Sequence, residues 1–200
     1  MERMGVFGGT FDPPHLGHLI LAAEAADQLK LDQVLWLLSP APPHKRKQHL
    51  TAYDERAAFV QACIQPEPKF ALSLIESERP GPHYTSDTLP ILRERFPKRE
   101  IVLLVGGDSL NDMPDWHEPR LILDRVDQLG VMERPGDHVD WDRLSGFFPD
   151  IREKVALIDA PLLEISSSEI RARVAAGHHY RYYLTEAVYR LVHEKGYYQG

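Results

Sequence analysis

Short, continuous apolar runs alternate along the chain with stretches in which apolar positions recur every three or four residues. RMGVFG (3–8), QVLWLLS (33–39), KFALSLI (69–75), EIVLLVGG (100–107), QLGVME (128–133) and VALIDA (155–160) read as strands. Most are unbroken rather than alternating, the pattern of strands covered on both faces. HLILAAEAADQLK (18–30) has an apolar helical face, and Thr51 with Asp54 forms a capping-box pattern that opens a helix over 52–64. Residues 86–96 predict a helix with Ser86 as N-cap, which puts Pro90 in the first turn, where its missing N–H does least harm. RLILD (120–124) and about 185–195 are helical in pattern. In ISSSEIRARVAAG (165–177), Ser166 with Glu169 marks a helix start and Gly177 its stop.

Strands alternating with helices, with no internal repeat and no low-complexity linker, predict one domain over residues 1–200. The fold class is α/β: a Rossmann-like, doubly wound parallel sheet with helices on both faces. Such sheets bind ligands beyond the carboxyl ends of their strands, where strand order reverses. The glycine-rich stretch at 8, the SPAPPHK loop at 39 and the GGDS loop at 106 all follow predicted strands, so they should converge on one edge.

Composition narrows the picture. The chain is 43% hydrophobic and 26% charged, ordinary for a soluble protein. The single cysteine, Cys63, cannot form an internal disulfide, no apolar run reaches bilayer length, and Gly8 and Gly9 interrupt the N-terminal apolar stretch too early for a signal peptide. A cytoplasmic location and no membrane partner are expected. A net charge of −7 argues against nucleic acid as partner. It leaves room for a small anion, which HKRK (44–47) could attract locally.

GGTFDPPHLGH (8–18) carries the first candidate chemistry. Gly8 and Gly9 let backbone approach a ligand, Thr10 offers a hydroxyl, and Asp12-Pro13-Pro14 form a rigid turn. His15 and His18, with Gly17 between them, stand at a helix entrance whose N–H groups and dipole favour an anion. Three readings compete: a zinc site, which has no further ligand cluster; histidines satisfied in the core; and an oxyanion site, which carries the most weight. Ser167, Ser168 and Arg171 form a second constellation, either a solvated helix start or a second phosphate clamp.

Together, GGTFDPPHLGH and ISSSEIR resemble the HxGH nucleotidyltransferases. SPAPPHK, HYTSDTL, GGDSLNDMPDW and ERPG follow the order found in bacterial nicotinate-nucleotide adenylyltransferases, and the resemblance covers nearly the whole chain. It implies that ATP and nicotinate mononucleotide, with Mg²⁺ carried on ATP rather than held by protein ligands, give deamido-NAD and pyrophosphate. It implies that Gly8, Gly9, Thr10, Phe11 and Gly106 line the ATP cleft and that Asp108 sits near the ribose. His15, His18 and Lys45 would act on the phosphates, and Ser167, Ser168 and Arg171 on the outer ones. Tyr84, Thr85, Trp116, His117 and Arg134 would receive the nicotinate nucleotide. His83 departs from the pattern, since the family usually has serine there. The attacking phosphate monoester is already ionised, so no general base is needed, and direct in-line displacement without a covalent intermediate is expected. An indole such as Trp116 suits a cationic pyridinium ring, and backbone N–H donors suit an acid better than an amide. The rivals are a phosphopantetheine adenylyltransferase, a cytidylyltransferase, a catalytically silent nucleotide sensor and a zinc module. Oligomeric state is not legible, although HHYRYYL (178–184) reads as packing internally.

Overall fold

Successive residues of the central strands turn toward opposite cores. The structure is a computed structural model, and it describes residues 1–40, 50–132, 138–161 and 163–199. Its strands are β1 (Glu2–Gly9), β2 (Gln33–Leu38), β3 (Phe70–Ser73), β4 (Arg99–Gly106), β5 (Gln128–Met132) and β6 (Val155–Ile158). They form one sheet in the order β3-β2-β1-β4-β5-β6, with every neighbouring pair parallel. The chain therefore steps outward from β1 to β3, crosses back, and steps outward again from β4 to β6. The reversal falls between β1 and β4.

The helices are α1 (Leu16–Gln28), α2 (Tyr53–Ile64), α3 (Thr85–Arg95), α4 (Gly107–Asn111), α5 (Pro119–Arg125), α6 (Trp141–Phe147), α7 (Ile151–Lys154), α8 (Ser167–Ala175) and α9 (Glu186–Glu194). Phe7, Trp36, Leu38, Val102 and Leu104 face one core, which α1, α2, α8 and α9 close with Ala22, Phe59, Ile170 and Val188. Val6, Leu35, Leu37, Leu103 and Val105 face the other, closed by Leu92, Ile122 and Leu144 of α3, α5 and α6. Each such side chain contributes about 1.5–3 kcal/mol by leaving water, so a strand buried on both faces has to be apolar throughout.

Two helix starts differ from expectation. α3 begins at Thr85, not after Ser86, and Pro90 lies well inside it. The Tyr84 carbonyl accepts both the Asp87 and Thr88 N–H groups, and this contact fixes the first turn earlier than the proline would choose. α2 lacks the Thr51–Asp54 capping box. Thr51 instead gives its N–H to Asp12 and its carbonyl to Arg56, so tertiary partners displace the local cap. α8 keeps half of its box: Ser166 Oγ accepts from the Glu169 N–H, while the Glu169 carboxylate turns to Arg173. Gly177, at φ +69°, closes the same helix, and the His178 N–H reaches the Arg173 carbonyl. Tyr180 packs on Tyr189 with ring centres 5.3 Å apart, whereas Tyr182 is exposed.

Candidate active site

The site grows from the loop that leaves β1. His15 is the N-cap residue of α1, and its N–H donates to His18 Nδ1 at 3.1 Å. The two imidazoles lie 3.7 Å apart, inclined by 31°. Because His18 Nδ1 accepts that bond, the neutral ring carries its proton on Nε2, at the far end of the ring. Phe7 and Phe11 hold the His18 ring from the sides, with centres 5.9 and 5.2 Å away. Gly17 stands close to the pair: a Cβ there would lie 3.1 Å from His15 Nδ1, so the ring would have to yield by a few tenths of an ångström. A Cβ at Gly9 would meet the Phe11 ring at 2.8 Å. Phe11 itself is 1% exposed, so its ring belongs to the core, and in this conformation only its backbone can face a ligand.

α8 meets this loop directly, although the two motifs are about 150 residues apart in sequence. Ser167 Oγ donates to the Pro13 carbonyl at 2.8 Å, and Arg171 Nη1 donates to the Asp12 carbonyl at 2.7 Å. Pro13 and Pro14 carry no N–H, so this turn offers acceptors without donors. Left open, those carbonyls would repel an anion; α8 covers both. The price is that Ser167's hydroxyl hydrogen is occupied, while most of Arg171's five N–H groups remain available by valence. Ser168, more exposed, has its hydroxyl 3.1 Å from that of Ser166. The N-termini of α1 and α8 thus form one joined donor surface.

At the reversal point, a Cβ at either Gly8 or Gly106 would meet no atom of the other described residues within 4 Å. These glycines are not forced by packing, so they leave open space above the ends of the adjacent strands β1 and β4. Asp108 is exposed in the first turn of α4. On the β4 side, Tyr84 and His117 bring their rings to 4.2 Å. Thr85 opens α3, and Trp116 is half-buried against the second core. Arg79 holds this corner by donating to the Tyr84 carbonyl, Thr88 Oγ1 and the Pro82 carbonyl. His83 is buried beside Gly81, whose Cβ would stand 3.2 Å from its Nε2, and burial with the nearby Arg79 charge lowers its imidazole pKa. Lys45 and Arg134 lie outside the described residues.

Sequence reasoning missed the buried polar frame behind the site. Arg56, 1% exposed, donates to the carbonyls of Thr10, Ser39, Pro40 and Thr51 at 2.9–3.0 Å. Burial lowers its pKa, opposed by the charge of Asp12. Asp12, also 1% exposed, accepts from the Thr51 N–H at 3.2 Å and from the Tyr198 hydroxyl at 2.7 Å. Burial and then the Asp12 charge push the Tyr198 phenol well upward, which keeps it a donor. Glu76, buried among Thr88, Ser39 and Arg79, has its carboxyl pKa raised by desolvation. Among the described residues, no three His, Cys, Asp or Glu side chains group as a metal site.

The family model described as cytidylyltransferase-like matches residues 6–173. A protein of Thermomicrobium roseum named probable nicotinate-nucleotide adenylyltransferase is 43% identical over 199 residues, spanning 100% of this chain and 92% of that one. The Bacillus subtilis nicotinate-nucleotide adenylyltransferase is 35% identical, with both chains covered in full. The chain belongs to the nicotinate-nucleotide adenylyltransferase family. The fold is shared with the Plasmodium falciparum nicotinic acid mononucleotide adenylyltransferase complexed with NaAD, at a TM-score of 0.82 and 20% identity over 99% of this chain and 98% of that one. The two signatures meet in the fold: Ser167 and Arg171 of the second reach the Pro13 and Asp12 carbonyls of the first, in the loop that follows β1 and leads to His15.

Proposed function

We propose that the chain transfers the adenylyl group of ATP to nicotinate mononucleotide, forming deamido-NAD and pyrophosphate for NAD biosynthesis. An oxygen of the mononucleotide phosphate attacks the α-phosphorus of ATP. The bond from that phosphorus to the bridging oxygen of the β-phosphate breaks, and pyrophosphate leaves with the electron pair. No proton has to move first, because the nucleophile is already ionised. The protein's task is alignment and neutralisation of charge.

The observation that carries this reading is the joined N-termini of α1 and α8, with the proton of neutral His18 held on Nε2. In this reading His15 and His18 donate to the transferring phosphate and Lys45 to phosphate oxygens. Arg171, Ser168 and the first-turn N–H groups of α8 hold the outer phosphates, with Ser167 contributing its N–H while its hydroxyl holds Pro13. Gly8, Gly9, Thr10, the Phe11 backbone and Gly106 leave room for the nucleotide, and Asp108 takes the ribose hydroxyls. Tyr84, Thr85, Trp116, His117 and Arg134 take the nicotinate nucleotide. Mg²⁺ fits as a companion of ATP, coordinated by phosphate oxygens, and would supply further charge neutralisation. No helix among the described residues is long and apolar enough to cross a membrane. Work in the cytoplasm, where ATP is supplied, completes the proposal.

Pyrophosphate release with ATP and Mg²⁺ tests it, comparing nicotinate mononucleotide, nicotinamide mononucleotide and phosphopantetheine. Strong release with the first alone is expected. Release only with phosphopantetheine would overturn the choice of substrate. Inversion at a chiral, isotopically labelled α-phosphorus is the expected stereochemistry, and net retention would rule out the direct displacement.

A further inference from the structure

We propose that Arg56 and Tyr198 are positioning residues for the adenylyl transfer, acting from behind the cleft through the backbone of the 10–13 loop. The inference rests on the reaction proposed above and adds residues that neither signature contains.

Three carbonyls of the loop, at Thr10, Asp12 and Pro13, are each held by a side chain from a distant element: Arg56 of α2, Arg171 of α8 and Ser167 of α8. The peptide between Thr10 and Phe11 is trans, so turning the Thr10 carbonyl toward Arg56 turns the Phe11 N–H to the opposite side. The same guanidinium holds the Ser39 and Pro40 carbonyls, directly after β2. One buried cation thereby fixes the relative placement of the loops leaving β1 and β2.

Tyr198 completes the frame from the far end of the chain. Its hydroxyl donates to Asp12 Oδ1 at 2.7 Å, while the Thr51 N–H takes Oδ2, so both carboxylate oxygens are held. The backbone carbonyl of that same residue receives Arg171. A shift of Asp12 would therefore move Arg171, Pro13 and the His15 N-cap together. Tyr197, the next residue, makes a different bond: its hydroxyl donates to Glu55, and its ring packs edge-on against Phe59 at 5.0 Å. It anchors the same terminal segment to α2, with its hydroxyl on Glu55 where that of Tyr198 is on Asp12.

Adjacent tyrosines thus give a matched pair for the test. Tyr198→Phe and Tyr197→Phe each remove one hydroxyl and keep the ring; Arg56→Lys keeps the charge but not the guanidinium fork. Steady-state kinetics with ATP and nicotinate mononucleotide are compared with thermal melting, all rates being taken well below the melting temperatures. Tyr198→Phe is expected to lower kcat about tenfold with the KM for nicotinate mononucleotide within about twofold, in the range for loss of one charged hydrogen bond that aligns reacting groups. Tyr197→Phe is expected to lower the melting temperature with kcat within about twofold of the unaltered protein. If Arg56→Lys folds, it should show the same kcat-dominated loss as Tyr198→Phe. Equal kcat losses in both tyrosine variants, or none in either, would overturn the inference by reducing Tyr198 to a stabilising contact. If the unaltered protein releases no pyrophosphate, the proposed reaction fails and this inference falls with it. An active parent with a fully active Tyr198→Phe sinks this inference alone.

Discussion

His18 is made a donor by a backbone amide, and that has a measurable consequence. With the His15 N–H on Nδ1, the neutral ring bears its proton on Nε2, so His18 does not need to be charged to be a donor. Removal of one positioned donor typically costs about 10²–10³ in rate. His18→Ala should lose kcat in that range with the fold retained by circular dichroism; unchanged turnover would remove its role. Gly17→Ala separates geometry from stability. Alanine favours a helix over glycine by about 1 kcal/mol, yet its Cβ would crowd His15 Nδ1 at 3.1 Å. The variant should melt no lower than the parent while kcat drops about tenfold, as expected when a reacting group is displaced by a fraction of an ångström. Full activity would show that the His15 ring yields without consequence. At this scale the place of His15 and of the serines at two helix starts was legible, because helix punctuation is written locally in the sequence. Arg56 was not. In DERAAFVQA it reads as one more polar position on a helix, and only the folded chain reveals four carbonyls around it.

Elements were legible where one force dominates. The strands in the middle of the sheet are buried on both faces, so unbroken apolar runs located them to within a residue or two. Helix starts depended on competition between local caps and distant partners, and there Thr51 and Ser86 misled. The link between β2 and α3 shows such competition in energetic form. Glu76 lies between them, buried, accepting a 2.8 Å bond from Thr88 Oγ1 and facing Ser39 and Arg79. Desolvation outweighs these favourable partners and raises its pKa. The sign follows from linkage: the folded state holds this proton more tightly than the unfolded chain does. The corresponding stability is complete below the ordinary glutamate pKa and is lost as pH rises through the folded-state value. Glu76→Gln removes the charge and keeps the shape. In urea unfolding, its advantage over the parent should be near zero around pH 4, grow with rising pH, and level off once Glu76 is ionised in both states. An advantage independent of pH would place the effect in packing rather than ionisation.

For the whole molecule, the anionic substrates meet a chain whose net charge is −7. The general field opposes their approach, so binding has to come from local donors and from cations that travel with ATP. In the proposed site those donors belong to α1 and α8, which are joined across more than 150 residues of sequence by the contacts at Asp12 and Pro13. A ligand that bridges the two helix starts must therefore favour the folded chain over the unfolded one, where the donors are far apart. At a free concentration one hundred times its Kd, a ligand specific for the native state adds about 2.7 kcal/mol. For a chain of this length that corresponds to a rise of about 5–10 °C in Tm. A non-hydrolysable ATP analogue with Mg²⁺ should produce such a rise, and Arg171→Ala should reduce it by weakening the bridge. Excess EDTA should also reduce it, because a bare triphosphate would bring its full negative charge to an already negative protein. Retention of the whole shift in EDTA would mean that the protein's own donors neutralise the triphosphate. Absence of any shift, with the analogue present at millimolar concentration, would mean that the joined helix starts do not bind ATP, and the proposed reaction would lose its first substrate.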